Sequence, residues 1–329
     1  MGRTVSLQTM APTRSLVIDD PSPDGLAVPR DMSAGYGDGL PVGLCLGGGG
    51  LWFVAWQVTY LNELLGAGVD LSGADRVVGT SAGSIVSSVL EAGNIKRLHG
   101  ELRVLARIPK LLGVLAPASN FSPSQERAQE MFWSATDAEP DTVRAIGHAA
   151  LNADTPSAAT MRRNLGAVLV FRRWPSPALH LSAVDAYTGE RLVLTDRTGV
   201  SVPRAAAASS AVPGLFPPQQ ILDRRAMDGG LAGTGLHLDL LAGARRAVVV
   251  QLTDGTDPDL PSQGGMTQSP GDAVAELEAL EASGTKVFSR MPEKVDIERL
   301  MDPTAVPDAI AMAERQARAD VEELRTFVA

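Results

Sequence analysis

Four consecutive glycines, Gly47 to Gly50, lie between the apolar run "PVGLCL" and the longer apolar segment "LWFVAWQVTYLNELLGAG". That order predicts a short buried strand, a turn of bare backbone, and a helix that packs back on the strand and ends on a glycine cap. Each glycine adds backbone freedom that folding must then remove, so four in a row carry a cost. The compensation is access: unobstructed N–H groups at the start of a helix can meet a negative charge.

The same alternation continues along the chain. "DRVVG" reads as a second short strand, and "SAGSIVSSVLEAG" as a small-residue helix closed by Gly93. "ALHLSAVDA", "RLVLTD" and "RAVVVQL" are further strands, the first two flanking the hairpin turn "YTGE". Strands and helices interleaved in this way predict an α/β layered sheet with helices on both faces. Residues 1–40 are rich in Pro, Gly, Asp and Ser without a sustained period and read as a loosely held, flexible N-terminal arm. Residues 41–329 then form the folded domain. Residues 253–272 are a loop or lid candidate, and a charged helix closes the chain over about 302–329. No internal repeat is visible.

Composition narrows the function classes. At 329 residues, 44% hydrophobic and 20% charged, the chain has the make-up of an ordinary globular protein. No run approaches the roughly 18 to 20 apolar residues of a membrane span. The first 30 residues lack the apolar core of a secretory signal, so none is expected. One cysteine, Cys45, excludes an internal disulfide and agrees with a reducing, cytoplasmic setting. Its apolar surroundings make it a buried core residue. A formal charge of −9, with only four lysines, argues against a nucleic-acid partner. Four scattered histidines leave no metal-ligand cluster, so no metal is expected.

Glycine turns between strand and helix serve nucleotide phosphates or oxyanions. A dinucleotide fingerprint needs G-x-G-x-x-G, but Phe53 stands at its last position. Asp70 and Asp75 precede the second strand rather than follow it, and no P-loop lysine is near. An oxyanion site requires a nucleophile close by. Residues 79–83 supply one: "GTSAG" lies between the strand "DRVV" and a helix, the context that gives G-x-S-x-G its meaning. Gly79 and Gly83 permit a sharp turn, so the Ser81 hydroxyl projects at the apex over a helix N-terminus. Taken alone, Ser81 could be an N-cap.

A serine needs a base. The order Ser, acid, His would use His237, nine residues after Asp228, but "GLHLDLL" reads as a packed helical turn. His99, His148 and His180 have no better claim. Asp228, in "MDGGLAGTG" after the hydrophilic turn "LDRRA", precedes Gly229 and Gly230; a carboxylate on that tight turn can take the serine proton directly. Its plain alternative is an Asp-Gly turn.

The glycine turn, GTSAG, "AAAASSAVPGLFPP" (205–218) and "MDGG", in that order, resemble the patatin-like phospholipases over about residues 41–255. The resemblance implies a three-layer α/β/α sandwich with a mostly parallel central sheet, a helical cap over about 95–165, and no cofactor. It implies a lipid acyl hydrolase with Ser81 as nucleophile and Asp228 as general base. The N–H groups of Gly48, Gly49 and Gly50 would form the oxyanion hole. Ser209, Ser210 and Asp185 fall in matching segments and read as packing or structural residues. The family pattern G-G-G-x-[KR]-G puts Trp52 where a basic residue is usual and Phe53 where a glycine is. This departure points to a smaller or more apolar ester or to an enzyme of low activity, with Trp52 either lining the acyl site or anchoring the core. The substrate expected is a lipid or other acyl ester, met through transient contact with a membrane surface. The apolar segment 107–121 could make that contact or pack as a buried cap. Other readings are a nucleotide-binding module, a lipid-binding member of low activity, and an acyltransferase using the same acyl-enzyme. Oligomeric state is not set by these residues.

Overall fold

The computed structural model describes residues 25–108, 112, 120–256 and 271–329. Most of the apolar segment 107–121 and of the loop 253–272 lies outside the described residues, as does 1–24 of the N-terminal arm.

In chain order the main elements are β1 (Val42–Leu46), α1 (Gly50–Gly66), β2 (Arg76–Gly79), α2 (Ala82–Glu91) and α3 (Ile95–Leu105). Three helices follow, α4 (Pro123–Trp133), α5 (Pro140–Asn152) and α6 (Ala158–Leu169). Then come β3 (Leu179–Asp185), β4 (Arg191–Leu194), α7 (Val202–Ser209), β5 (Gln219–Ile221) and β6 (Arg224–Asp228). The chain ends with β7 (Arg246–Val250), α8 (Asp272–Ala282), β8 (Lys286–Arg290) and α9 (Val306–Val328).

The strands form one mixed sheet in the order β5-β6-β3-β2-β1-β7-β8, with β4 also paired to β3. From β3 to β8 every neighbour along that path is parallel, whereas β4, β5 and β6 join antiparallel at the other side. Successive residues of a strand point to opposite faces, and the core divides accordingly. Leu44, Leu46, Val77, Val248 and Val250 belong to one apolar cluster, and Cys45, Val78, Ala247 and Val249 to another. The sheet is therefore buried on both faces, as the continuous apolar runs of its parallel strands require.

Helix α1 is apolar almost all round, and its residues from Leu51 to Leu61 are buried. A helix of that kind has to be covered on every side. The sheet covers one side and α9 the other. Phe53, Trp56 and Tyr60 stack along it with ring centroids 5.7 and 4.8 Å apart. Two polar groups in this interface are paired: Tyr60 donates to Asp320 at 2.7 Å and Trp56 Nε1 to Gln316 at 3.2 Å.

Two differences from the sequence reading have clear causes. Residues 25–40, composed like a loose arm, are held against the sheet. Leu26, Ala27 and Val28 are buried, Ala27 bridges Leu192, and Val28 N–H donates to Arg191 O. Buried Arg191 fixes this stretch, since it pairs with Asp239 at 2.6 and 2.7 Å and also donates to the carbonyls of Val28 and Pro29. The hydrophilic turn "LDRRA" is partly strand. Arg224 and Arg225 begin β6, and Arg224 is neutralised by Asp185 and Glu190 at 3.1 Å.

Candidate active site

Sheet register brings the predicted groups together. β2 pairs with β3 as far as Gly79 opposite Leu181; Ser81 follows two residues beyond that strand end, and β3 runs two residues on to Ala183. Ala183 is the residue that Asp228 pairs with at the end of β6. β1 and β2 are parallel neighbours, so the glycine turn emerges at the same sheet edge. Binding crevices in α/β sheets lie beyond the carboxyl ends of parallel strands.

Ser81 occupies a backbone conformation that side chains rarely adopt, φ 51° and ψ −115°. Such strain persists only where the surroundings over-determine it. Here Ser209 Oγ accepts the Ser81 N–H at 3.0 Å, and the hydroxyls of Ser84 and Ser210 donate to the Ser81 carbonyl at 2.6 and 3.1 Å. The two serines of the segment 205–218, which read as packing residues, thus clamp the elbow from the end of α7. Nothing in their one-dimensional spacing signals that role. Gly83 is required by close approach: a Cβ there would lie 1.8 Å from the Leu46 carbonyl oxygen.

The glycine turn is fixed from behind. Gly47 O accepts from Gln57 Nε2 at 2.9 Å and from Gly83 N–H at 3.1 Å. The N–H of Gly48 belongs to the same planar peptide and so points the opposite way. Among the described residues, no hydrogen-bond acceptor takes the N–H of Gly48, Gly49 or Gly50. Gly49 and Gly50 line a cavity of about 360 Å³ together with Ser81 and Asp228. Gly48 is buried one residue behind and does not line it.

Asp228 is buried, with Oδ1 accepting the Gly230 N–H at 2.8 Å. Its Oδ2 is buried without a hydrogen-bond partner. Burial pushes the carboxyl up to about 7, against a smaller opposite pull from the Gly230 N–H and the Ser81 hydroxyl. That hydroxyl stands close to the acid without reaching hydrogen-bond geometry, as is common in the absence of substrate. Gly229 packs on Ser182, where a Cβ would come within 2.2 Å of the hydroxyl.

The histidines are elsewhere. His237 is fully buried, and Nε2 meets the Gly229 carbonyl at 3.1 Å, so the ring supports the acid turn without lining the cavity. Burial lowers its pKa to about 3, leaving the ring neutral. His180 is likewise buried, its pKa lowered by burial to about 4, with Nδ1 on the Ala178 carbonyl at 2.7 Å. Asp185 caps the turn at Tyr187 and pairs with Arg224. Cys45 is buried with its thiol on the Leu236 carbonyl, and burial pushes its pKa up, so it is no nucleophile. Among the described residues the fold gathers one set of metal-type donors that spacing could not reveal: Glu63, His99 and Glu314, within 4.8 Å of one another. Arg103 and Arg318 both approach Glu314, at 3.8 and 3.9 Å.

Trp52 is 6% exposed and Phe53 wholly buried, and neither lines the cavity. Both are core anchors at the start of α1, where Trp52 N–H donates to Leu300 O at 2.9 Å. Trp52→Ala is therefore expected to destabilise the fold by about 3 to 5 kcal/mol. Thermal melts beside a chain-length series check this; a shifted chain-length preference at an unchanged melting temperature would make Trp52 a pocket wall instead.

A family model described as "Patatin-like phospholipase" matches residues 44–238. Among solved structures, VipD from Legionella pneumophila aligns over 91% of this chain and 69% of its own, at 13% identity and a TM-score of 0.34. The type III effector protein ExoU aligns over 86% of this chain at 17% identity and a TM-score of 0.33. This chain spans about half of ExoU, 54%. A comparison with curated protein sequences finds no match.

Proposed function

The chain belongs to the patatin-like phospholipase family, and from that premise we propose that it is a serine acyl hydrolase acting on lipid or related acyl esters. The observation that carries this reading is the meeting of three features on one cavity: a strained serine elbow, a buried carboxyl with an unpaired oxygen, and a bare glycine turn.

In this mechanism Ser81 Oγ attacks the ester carbonyl while Asp228 Oδ2 takes its proton. The carbonyl oxygen becomes an oxyanion facing the N–H groups of the glycine turn, where Gly49 and Gly50 reach the cavity. As the C–O bond breaks, Asp228 returns the proton to the leaving alkoxide, and an acyl-Ser81 ester remains. Water then attacks, Asp228 accepts its proton, and the acid leaves as that proton returns to Ser81. A Ser–Asp dyad fits the surroundings because no histidine lines the cavity among the described residues.

The helices between 95 and 169 are read as a cap beside the site, since Phe132 and Trp133 of α4 reach the cavity. Trp133 at that rim and Met131, two residues before it on α4, are exposed apolar residues and suit brief contact with a lipid surface. Among the described residues, no helix is long and apolar enough to cross a membrane.

The direct test is hydrolysis of p-nitrophenyl butyrate together with labelling by a fluorophosphonate probe. Turnover with stoichiometric labelling supports the reading; failure of both would overturn it. The glycine turn has its own test. A Cβ on Gly49 would lie 2.7 Å from Phe53, so Gly49→Ala has to displace the turn. Loss of one oxyanion donor costs roughly 100- to 1,000-fold in rate. The expected result is a fall of that size in kcat with KM little changed, and a purely KM effect would argue for a binding role alone.

A further inference from the structure

Ser81 borders two cavities. The first, about 360 Å³, also holds Gly49, Asp228, Ile297 and Glu298. The second, about 300 Å³, runs along Ile85, Met161, Leu165 and Val168 on α2 and α6. They share Gly50, Ser81, Val212, Leu215 and Met301, so they meet at Ser81. Each has the size of a small ligand site, at the lower end of the roughly 300 to 1,000 Å³ range.

The chemistry assigns a direction to each. A base that protonates the leaving alkoxide has to face the alcohol side of the ester. Asp228 lines only the first cavity, so the alcohol portion belongs there and the acyl chain in the second. The walls then describe the alcohol. Among the described residues no Lys or Arg lines either cavity, and the only charged groups are Asp228 and the exposed Glu298 at the mouth of the first. The adjacent Arg299 is engaged by Asp302 at 3.0 Å. The usual position of a basic residue in the glycine turn is held by buried Trp52. A phosphate placed on the alcohol side would lose hydration without the guanidinium or ammonium partner that recognition of phosphate employs. It would also face the Glu298 carboxylate.

We propose that the substrate is an uncharged ester with an apolar chain on each side of the scissile carbonyl, the acyl chain along Met161 and Leu165 and the alcohol beside Asp228 and Ile297, and that Glu298 disfavours anionic head groups. The inference rests on the serine-hydrolase reading and deepens it.

The test uses the full chain and three lipids with identical octanoyl chains in the same neutral detergent micelles: diacylglycerol, phosphatidylcholine and phosphatidylglycerol. p-Nitrophenyl butyrate turnover reports the serine chemistry in parallel. The expected order is diacylglycerol, then phosphatidylcholine, then phosphatidylglycerol. Glu298→Lys should raise phosphatidylglycerol turnover about ten-fold relative to diacylglycerol by reversing the charge at the mouth. Met161→Trp, with Leu165→Phe as a milder companion, should shorten the acyl chain accepted. Ile297→Trp should leave acyl preference alone and shorten the alcohol accepted in a series of alkyl butyrates. Butyrate hydrolysis with phosphatidylglycerol preferred, or an acyl-side effect from Ile297→Trp, would overturn this inference and leave the hydrolase standing. Absence of butyrate turnover and of labelling would remove the hydrolase reading and this inference with it.

Discussion

Replacing Ser81 with alanine is expected to reduce ester hydrolysis to background and abolish fluorophosphonate labelling, a loss on the order of a million-fold where a serine nucleophile drives catalysis. The variant removes one oxygen and keeps the Cβ, so the backbone clamp formed by Ser84, Ser209 and Ser210 stays in place. Circular dichroism and melting temperature should therefore match the parent. Ser81→Gly extends the argument. At φ 51° and ψ −115° a glycine is relieved of the strain that a side chain bears. That variant should be equally inactive and more stable than the parent. Retained turnover in the alanine variant would remove the nucleophile from the mechanism.

The second large effect is expected at Asp228. Asp228→Asn should lose roughly 100- to 10,000-fold in kcat, the worth of a general base. His237→Gln should lose far less, since that ring only supports the Gly229 carbonyl. Comparable losses at the two positions would restore a Ser–Asp–His arrangement. The pH profile has a determined sign. The base acts only when ionised, and burial raises its pKa to about 7, so kcat/KM should climb as pH rises through about 7 and fall away below it. Stability runs the other way. The folded state holds a proton on Asp228 between the ordinary value of 3.8 and about 7, where the unfolded chain does not. Folding stability therefore declines as pH rises through that window. Asn carries no ionisation cost, so Asp228→Asn should melt higher than the parent at pH 8 and show little difference at pH 4. Melts at both pH values, set beside pH–rate profiles, check the trade between stability and reactivity.

Much of this site could be read along the chain because its chemistry is local. A strand, a bare turn and a helix within twenty-five residues describe the 42–66 unit, and G-x-S-x-G between strand and helix describes the elbow. Asp228 stood out through the two glycines after it, although its neighbourhood to Ser81 depends on the pairing of β3 with both β2 and β6. Groups that act through side-chain bonds to a distant or neighbouring backbone are not legible. Gln57, Ser209 and Ser210 orient the turn and elbow through side-chain hydrogen bonds to backbone, and ordinary polar residues carry no sequence mark for that work. The hairpin of β5 and β6 is obscured because β6 opens on two arginines, and a short strand that begins so looks like a hydrophilic turn. Residues 25–40 looked loose because their anchor, Arg191 with Asp239, lies some 150 positions or more further on. Trp52 could not be placed by pattern alone, since a helix that is apolar all round gives no face to prefer.

The central claim is that an acyl-enzyme forms on Ser81. Intact-mass and peptide mass spectrometry of the protein quenched during turnover of a slow ester, or after fluorophosphonate treatment, tests it most directly. One adduct per chain on the peptide containing Ser81, absent from Ser81→Ala, is the predicted result. An adduct on any other residue, or undiminished hydrolysis with no adduct at all, would contradict it.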